Sequence, residues 1–192
     1  SVFSEATRIV CDGQALDMEF ESSLSVGIDD YIYMIECKTA ALIRASLQLG
    51  GLVAGGDSAF IEELGQLGLA AGTAFQIQDD LLDAIADPEA FGKRPGGDIY
   101  EGKKTYLSIL ALQRASGTQY DRISKILQKP DATAAEVEDV IAAYHSLGVI
   151  ADTRAAIRQR YESCHEVLKT LPQSHYKSAL LQLIEMLKER RH

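Results

Sequence analysis

What this sequence has little of narrows its function before any motif is read. It has three cysteines, Cys11, Cys37 and Cys164, far apart and without a CxxC pair. An odd, scattered set argues against a disulfide framework or a zinc site and suits a reducing cytoplasm, with buried thiols expected at all three positions. No segment approaches the roughly 18 unbroken apolar residues that a transmembrane helix needs. The first residues carry no signal-peptide pattern. Positive charge is scarce as well: 19 Lys and Arg against 28 Asp and Glu leave a formal charge of −9. No basic face is visible, which argues against nucleic acid as a partner, although an acidic chain can still hold a polyanion when metal ions mediate. The four histidines, His145, His165, His175 and His192, lack metal-ligand spacing and read as surface or capping residues. No nucleophile–base pair stands out.

What is there reads as helix almost throughout. With 192 residues, 46% of them hydrophobic, the chain is long enough for one domain with a real core. The apolar spacing and turn residues predict helices over about 4–22, 31–53, 58–85, 103–115, 120–128, 134–146, 150–171 and 174–190, with no strand and no internal repeat. Asp29 or Asp30 is placed to cap the second helix, and Asp57 or Ser58 the third. Gly65, Gly68 and Gly72 recur at helical spacing in the third, where each costs roughly 1 kcal/mol against alanine. Such a row predicts close approach of a neighbouring helix. The expected architecture is all-α, one large bundle. Because Ser1 opens almost directly into helix, the chain is expected to be a piece of something longer.

Within the third helix, Phe75-Gln76-Ile77-Gln78-Asp79-Asp80-Leu81-Leu82-Asp83 concentrates carboxylates in an apolar setting. Residues three and four apart are neighbours on a helix, so Asp79 and Asp80 both lie beside Asp83, with Gln76 next to the pair. Like charges at this spacing destabilise a helix, more so where water is excluded. Mg²⁺ would offset them, since it takes oxygen ligands and is commonly shared between carboxylates and substrate phosphates. An acidic, solvated helix face is the plain alternative.

Lys38 falls on an apolar stripe with Tyr31, Met34, Ile35 and Leu42, so it either snorkels to solvent or meets an anion inside. After the aspartate helix, a long irregular stretch over 87–102 leads to Lys103 and Lys104. It holds Lys93, Arg94 and Gly96-Gly97-Asp98. Glycines let backbone come near a ligand and lysines act as point charges for phosphate, although an ordinary surface loop has similar composition. Together the acidic helix and the lysine-bearing loop make a matched pair. Carboxylates hold Mg²⁺, Mg²⁺ holds a diphosphate, and lysines neutralise the rest, so that pyrophosphate leaves without any nucleophilic side chain.

FQIQDDLLD, FGK and GGDIYEGKKT resemble the second aspartate-rich region of the trans-type polyprenyl diphosphate synthases, the farnesyl and geranylgeranyl diphosphate synthases. GQALDMEFE (Gly13 to Glu21) and MIECKTAALI (Met34 to Ile43) resemble two earlier segments of that family, in the same order. The resemblance implies an isoprenoid-synthase bundle that condenses an allylic diphosphate head-to-tail with isopentenyl diphosphate. It also implies Mg²⁺ as cofactor and a homodimer. Asp79 becomes the principal Mg²⁺ ligand, with Asp80 and Asp83 completing the metal shell. Lys38, Lys93 and Lys103 become contacts of the allylic diphosphate, while Thr39 and Gln76 present oxygens toward the carbocation. Gln14 and Asp17 match a pocket-lining pair, or else form a local hydrogen bond.

Two departures matter. The family carries two aspartate-rich motifs and this chain shows one; Asp29-Asp30 sits at a helix start with no aspartate following at Tyr33 or Met34. The expectation is therefore half an active site, inactive alone, with the isopentenyl site and the product-length determinants outside the chain. The rival readings are a non-catalytic subunit of a heteromeric synthase, an acidic helical interaction module, and a terpene cyclase; the lysines favour the synthase. Lys188, Arg190, Arg191 and His192 could close over a bound diphosphate, but cations at a helix C-terminus are favourable in any case, and that is the preferred reading.

Overall fold

Asp57 starts the central helix by accepting the Phe60 N–H on its side chain at 2.9 Å, which satisfies one of the donors that every helix start leaves open. In the computed structural model, residues 1–23, 25–85, 95–129 and 131–190 are described. Among them the elements are α1 (Val2–Ser22), α2 (Ile28–Ile35), a π-helical turn (Glu36–Ala40), α3 (Ala41–Val53), α4 (Ser58–Ile85), α5 (Gly97–Tyr100), α6 (Tyr106–Arg114), α7 (Gly117–Leu127), α8 (Ala134–Ser146), α9 (Val149–Thr170) and α10 (His175–Lys188). No strand occurs among the described residues, so the all-α expectation holds. No helix among them is long and apolar enough to cross a membrane.

Several details differ from the sequence reading. The second helix begins at Ile28, which puts Asp29 and Asp30 in its first turn, and Asp30 accepts the Gly27 N–H at 2.9 Å. The stretch expected to be irregular up to Gly102 contains the short helix α5. Between α2 and α3 the chain widens by one π turn, where the Ala41 N–H donates to the Glu36 carbonyl five residues back. One extra residue rotates everything beyond it by about 100°. Tyr31, Met34 and Ile35 are buried as expected, but Leu42 turns outward and is 49% exposed.

The chain forms two compact units. One comprises Ser1–Asp17, Ile32–Gln76 and Ala156–Arg190. In it the glycine row of α4 does what its spacing predicts. A Cβ on Gly68 would lie 2.6 Å from the Arg44 Cα, and one on Gly72 2.6 Å from the Ala40 Cα. Gly13 of α1 is as tightly placed, 2.7 Å from the Lys38 Cα by the same construction. Two helices thus press backbone to backbone on the π turn and its continuation. His165 of α9 holds Glu185 of α10 at 2.9 Å. The Arg190 guanidinium lies over the Phe75 ring at 4.8 Å, and Lys188 meets Glu185 at 3.5 Å; Arg191 and His192 lie outside the described residues. Cys37 and Cys164 are buried, and burial pushes the Cys164 thiol up to about 12. Cys11, expected inside, is exposed on α1.

The second unit comprises Met18–Tyr31 and Ile77–Ala155. There α6, α7 and α8 pack on one another, and α5 packs on α7 and α8. The start of α8 is fixed by a reciprocal pair: Thr133 Oγ1 accepts the Glu136 N–H at 3.3 Å, and Glu136 Oε2 accepts the Thr133 N–H at 2.8 Å.

Substituting Gly68→Val is expected to cost about 1–3 kcal/mol or more by overpacking against Arg44, read as a lower urea midpoint. A pH dependence follows from Glu136. The Thr133 backbone N–H, then Lys129 and the Thr133 hydroxyl, hold its carboxyl down from its usual 4.5 to about 2. The ionised form therefore favours the folded state, fully so above about 4.5, and that contribution fades as pH falls toward about 2. Glu136→Gln should lower the melting temperature at neutral pH and flatten its decline through this acid window; an unchanged acid limb would rule the cap out as its source.

Candidate active site

The acidic end of α4 is held in the second unit by donors from two separate segments, Tyr31 of α2 and the turn at residues 96–98. Asp80 is buried, at 8% exposure. The Tyr31 hydroxyl donates to its Oδ2 at 2.6 Å, and Tyr31 is in turn braced edge-on by Tyr106 with ring centroids 6.1 Å apart. Asp83 receives the Asp98 backbone N–H on Oδ2 at 2.9 Å, while the Gly96 N–H donates to the Asp83 carbonyl at 2.7 Å. Glycine is needed in this turn: a Cβ on Gly97 would stand 2.9 Å from Asp83 Oδ1. Burial pushes the Asp83 carboxyl up, and the Asp98 N–H pulls it partly back. Asp79 is half-buried on the same helix.

The turn that anchors Asp83 also delivers a lysine. Lys103 Nζ lies 2.9 Å from Asp98 Oδ1 and 2.7 Å from Glu101 Oε2. Burial alone would lower the Lys103 ammonium, but Glu101 and Asp98 together push it above lysine's ordinary value. Its backbone is fixed too, because the Ser108 hydroxyl, part of the Thr105–Ser108 cap of α6, donates to the Lys103 carbonyl at 3.0 Å. Lys104, with no such carboxylates to offset burial, is pulled down.

In the first unit, the π turn presents Lys38 and Thr39. Lys38 Nζ donates to Asp17 Oδ2 at 2.6 Å, so the lysine on the apolar stripe does meet an anion. Asp17 is thereby paired with Lys38 and not with Gln14, which is exposed on α1. The Thr39 hydroxyl donates to Gln76 Oε1 at 2.8 Å, joining two of the expected oxygen-bearing residues. Gln76 precedes Asp79 and Asp80 by one turn of α4. Lys93 lies outside the described residues.

The contact between Tyr31 and Asp80 had no local signature. Tyr31 and Asp80 are 49 positions apart, and nothing in either segment announces the pair. Asp98 was visible within GGD, yet its double tie, backbone to Asp83 and side chain to Lys103, is a product of the turn. Elsewhere in this unit, on α8, the buried Tyr144 hydroxyl has no hydrogen-bond partner among the described residues.

Among the described residues no three carboxylate, thiol or imidazole groups form a ready-made metal cage. The donor set at this end of α4 is nevertheless all oxygen, from Asp79, Asp80, Asp83 and Asp98. Such a set fits a hard divalent cation that takes few protein ligands and completes its shell with water or phosphate.

Comparison with known proteins places the chain. The family model described as polyprenyl synthetase matches residues 1–144. This chain belongs to the polyprenyl synthetase family. It is 38% identical over 183 residues to a short chain isoprenyl diphosphate synthase of Methanothermobacter thermautotrophicus, a match covering 95% of this chain and 56% of that one. Geranylgeranyl pyrophosphate synthetase from Pyrococcus horikoshii shares its fold with a TM-score of 0.91 at 35% identity, over 98% of this chain and 57% of that one. A geranylgeranyl pyrophosphate synthase from Corynebacterium glutamicum, solved with isoprenyl diphosphate and magnesium, gives a TM-score of 0.91 at 31% identity, covering 100% of this chain and 54% of that one. The chain thus spans about half the length of these polyprenyl synthetase relatives.

Tyr31→Phe removes a hydrogen bond to a buried carboxylate and is expected to cost about 2 kcal/mol, measured by chemical denaturation. A variant as stable as the parent would mean that Asp80 has no need of the tyrosine.

Proposed function

We propose that the whole protein is a prenyltransferase that condenses an allylic diphosphate with isopentenyl diphosphate, head to tail, releasing pyrophosphate and a short-chain trans-prenyl diphosphate. The observation that carries this reading is the chain of contacts Asp83–Asp98–Lys103, which couples an acidic helix to a cationic turn inside one unit. Carboxylate and ammonium groups at one place are what a metal-bound diphosphate requires. The names of the relatives support the same substrate class.

In this reading Asp79, Asp80 and Asp83 hold Mg²⁺, with Asp79 as the principal ligand. The metal, when bound, neutralises charge on the departing pyrophosphate. Tyr31 keeps Asp80 oriented, as partners behind a metal ligand commonly do. Lys38, Lys93 and Lys103 bind the allylic diphosphate, and Lys103 exchanges Asp98 or Glu101 for phosphate oxygen as it does so. Thr39 and Gln76, already hydrogen-bonded to each other, aim oxygen dipoles at the developing carbocation. Gln14 and Asp17 line the pocket, Asp17 by holding Lys38. Loss of a proton to the released pyrophosphate completes the reaction without a dedicated side-chain base. The active form is a homodimer.

The test is elongation of an allylic diphosphate by labelled isopentenyl diphosphate with full-length protein and Mg²⁺. Asp79→Ala should abolish turnover with helix content near that of the parent, and an active variant would refute the metal role. Lys103→Ala should raise the Michaelis constant for the allylic diphosphate more than it lowers thermal stability; an unchanged constant would remove that contact.

A further inference from the structure

Lys103 is the cation that a diphosphate would draw away from Asp98 and Glu101, and its backbone is clamped on both sides. On the amino side, α5 closes with Gly102 in the left-handed region, at φ 67°. The Gly102 N–H donates to the Ile99 carbonyl at 3.1 Å and the Lys103 N–H to the Asp98 carbonyl at 2.9 Å, the paired bonds of a helix end built on glycine. A Cβ on Gly102 would stand 2.5 Å from the Leu127 carbonyl oxygen, so this corner suits glycine alone. On the carboxyl side, the Ser108 hydroxyl reaches the Lys103 carbonyl at 3.0 Å.

That last bond is more than the start of α6 requires. A helix start leaves N–H groups short of acceptors, and a side chain at its third position need only accept. Ser108 does so, taking the Thr105 N–H on Oγ at 2.9 Å, while Thr105 Oγ1 takes the Ser108 N–H at 3.3 Å. The serine's own proton is left over. The carbonyls of Lys103 and Thr105 stand within its reach at 3.0 and 3.1 Å, and the Thr105 hydroxyl lies at 3.4 Å. The Thr105 carbonyl already accepts the Ile109 N–H at 3.0 Å, which leaves the proton to Lys103. Ser108 is 1% exposed, so water has little access to that bond.

We propose that Ser108 is a positioning residue: its hydroxyl holds the Lys103 backbone in place while the Lys103 ammonium exchanges Asp98 and Glu101 for the oxygens of a metal-bound diphosphate. The inference rests on the metal–diphosphate reading of this site. The lysine head must move from two carboxylates to phosphate on a flexible stem. A clamped backbone leaves only that stem to reorganise. Without the Ser108 bond the peptide plane that follows Lys103 is free to turn, and order that the fold supplied in advance has to come out of ligand binding.

Calorimetric titration of the full-length protein with inorganic pyrophosphate in Mg²⁺ tests this, beside thermal unfolding of each variant. Ser108→Ala should weaken pyrophosphate about fivefold, the net worth of one neutral hydrogen bond. Thr105→Ala breaks the cap of α6 but keeps the Ser108–Lys103 bond, so it should lower the melting temperature and leave pyrophosphate affinity near that of the parent. In a Lys103→Ala background, adding Ser108→Ala should weaken binding no further. Ser108→Cys, of similar volume but a weak donor, should lose affinity as Ser108→Ala does, and it stands in for that variant where the smaller side chain unsettles the fold. Equal losses from Thr105→Ala and the Ser108 variants would assign the effect to the helix cap and overturn the inference. Additive losses in the double variant would overturn it as well. Ser108 variants that bind like the parent beside a weakened Lys103→Ala would overturn it while the Lys103 contact stands. A Lys103→Ala protein that binds pyrophosphate as tightly as the parent would overturn both.

Discussion

Carboxylates gathered on one buried helix end repel one another, and the surrounding chain is organised around answering that repulsion. Asp80 is answered by a phenol, Asp83 by a backbone N–H, and Asp98 by an ammonium. The three donors differ in kind, and the difference matters. A tyrosine hydroxyl and a peptide N–H are fixed in place by the packing around them and cannot leave. Lys103 stands on a flexible stem and is shared between Asp98 and Glu101, so it can exchange a carboxylate for a phosphate at little cost in geometry. Rigid donors hold the acidic group in shape, and the mobile one remains available to a ligand.

Backbone proximity does the corresponding work in the other unit. Gly13, Gly68 and Gly72 let helices approach until a Cβ on any of them would stand under 3 Å from the facing backbone, and the segment they close upon includes the π turn. A π turn is uncommon and tends to mark functional positions, because the widened turn changes which way its side chains point. Here it carries Lys38 toward Asp17 and Thr39 toward Gln76. The same extra residue sends Leu42 to the surface. One backbone irregularity therefore accounts for two side-chain contacts and for the failure of the simple stripe.

Family membership and local geometry support the same chemistry from different directions. The match over residues 1–144 establishes kinship, and the contacts within each unit show how particular residues are held in place. The helices from α8 onward look generic in sequence, yet α8 buries Tyr144 completely and packs on α5. A segment without a motif can still take part in the packing around a site, since a motif reports only what neighbours in the sequence do together.

Much was legible in the residues alone because it depends on short-range physics. Helix periodicity, the Asp57 cap, the glycine row of α4 and the crowding of Asp79, Asp80 and Asp83 all follow from neighbours within a turn or two. Charge suggested that the segment after α4 answers its aspartates, although the bond to Asp83 comes from the Asp98 backbone N–H. Which group meets which could not be read from charge. Tyr31 reaches Asp80 across 49 positions and Asp17 reaches Lys38 across 21, and the π turn arises where α1 presses on the chain near Lys38. The exposure of Cys11 likewise reflects what packs beside it. Such outcomes depend on distant segments arriving at the same place, and a hydrophobic pattern fixes only which face turns inward, leaving the partner on that face to the packing of the whole.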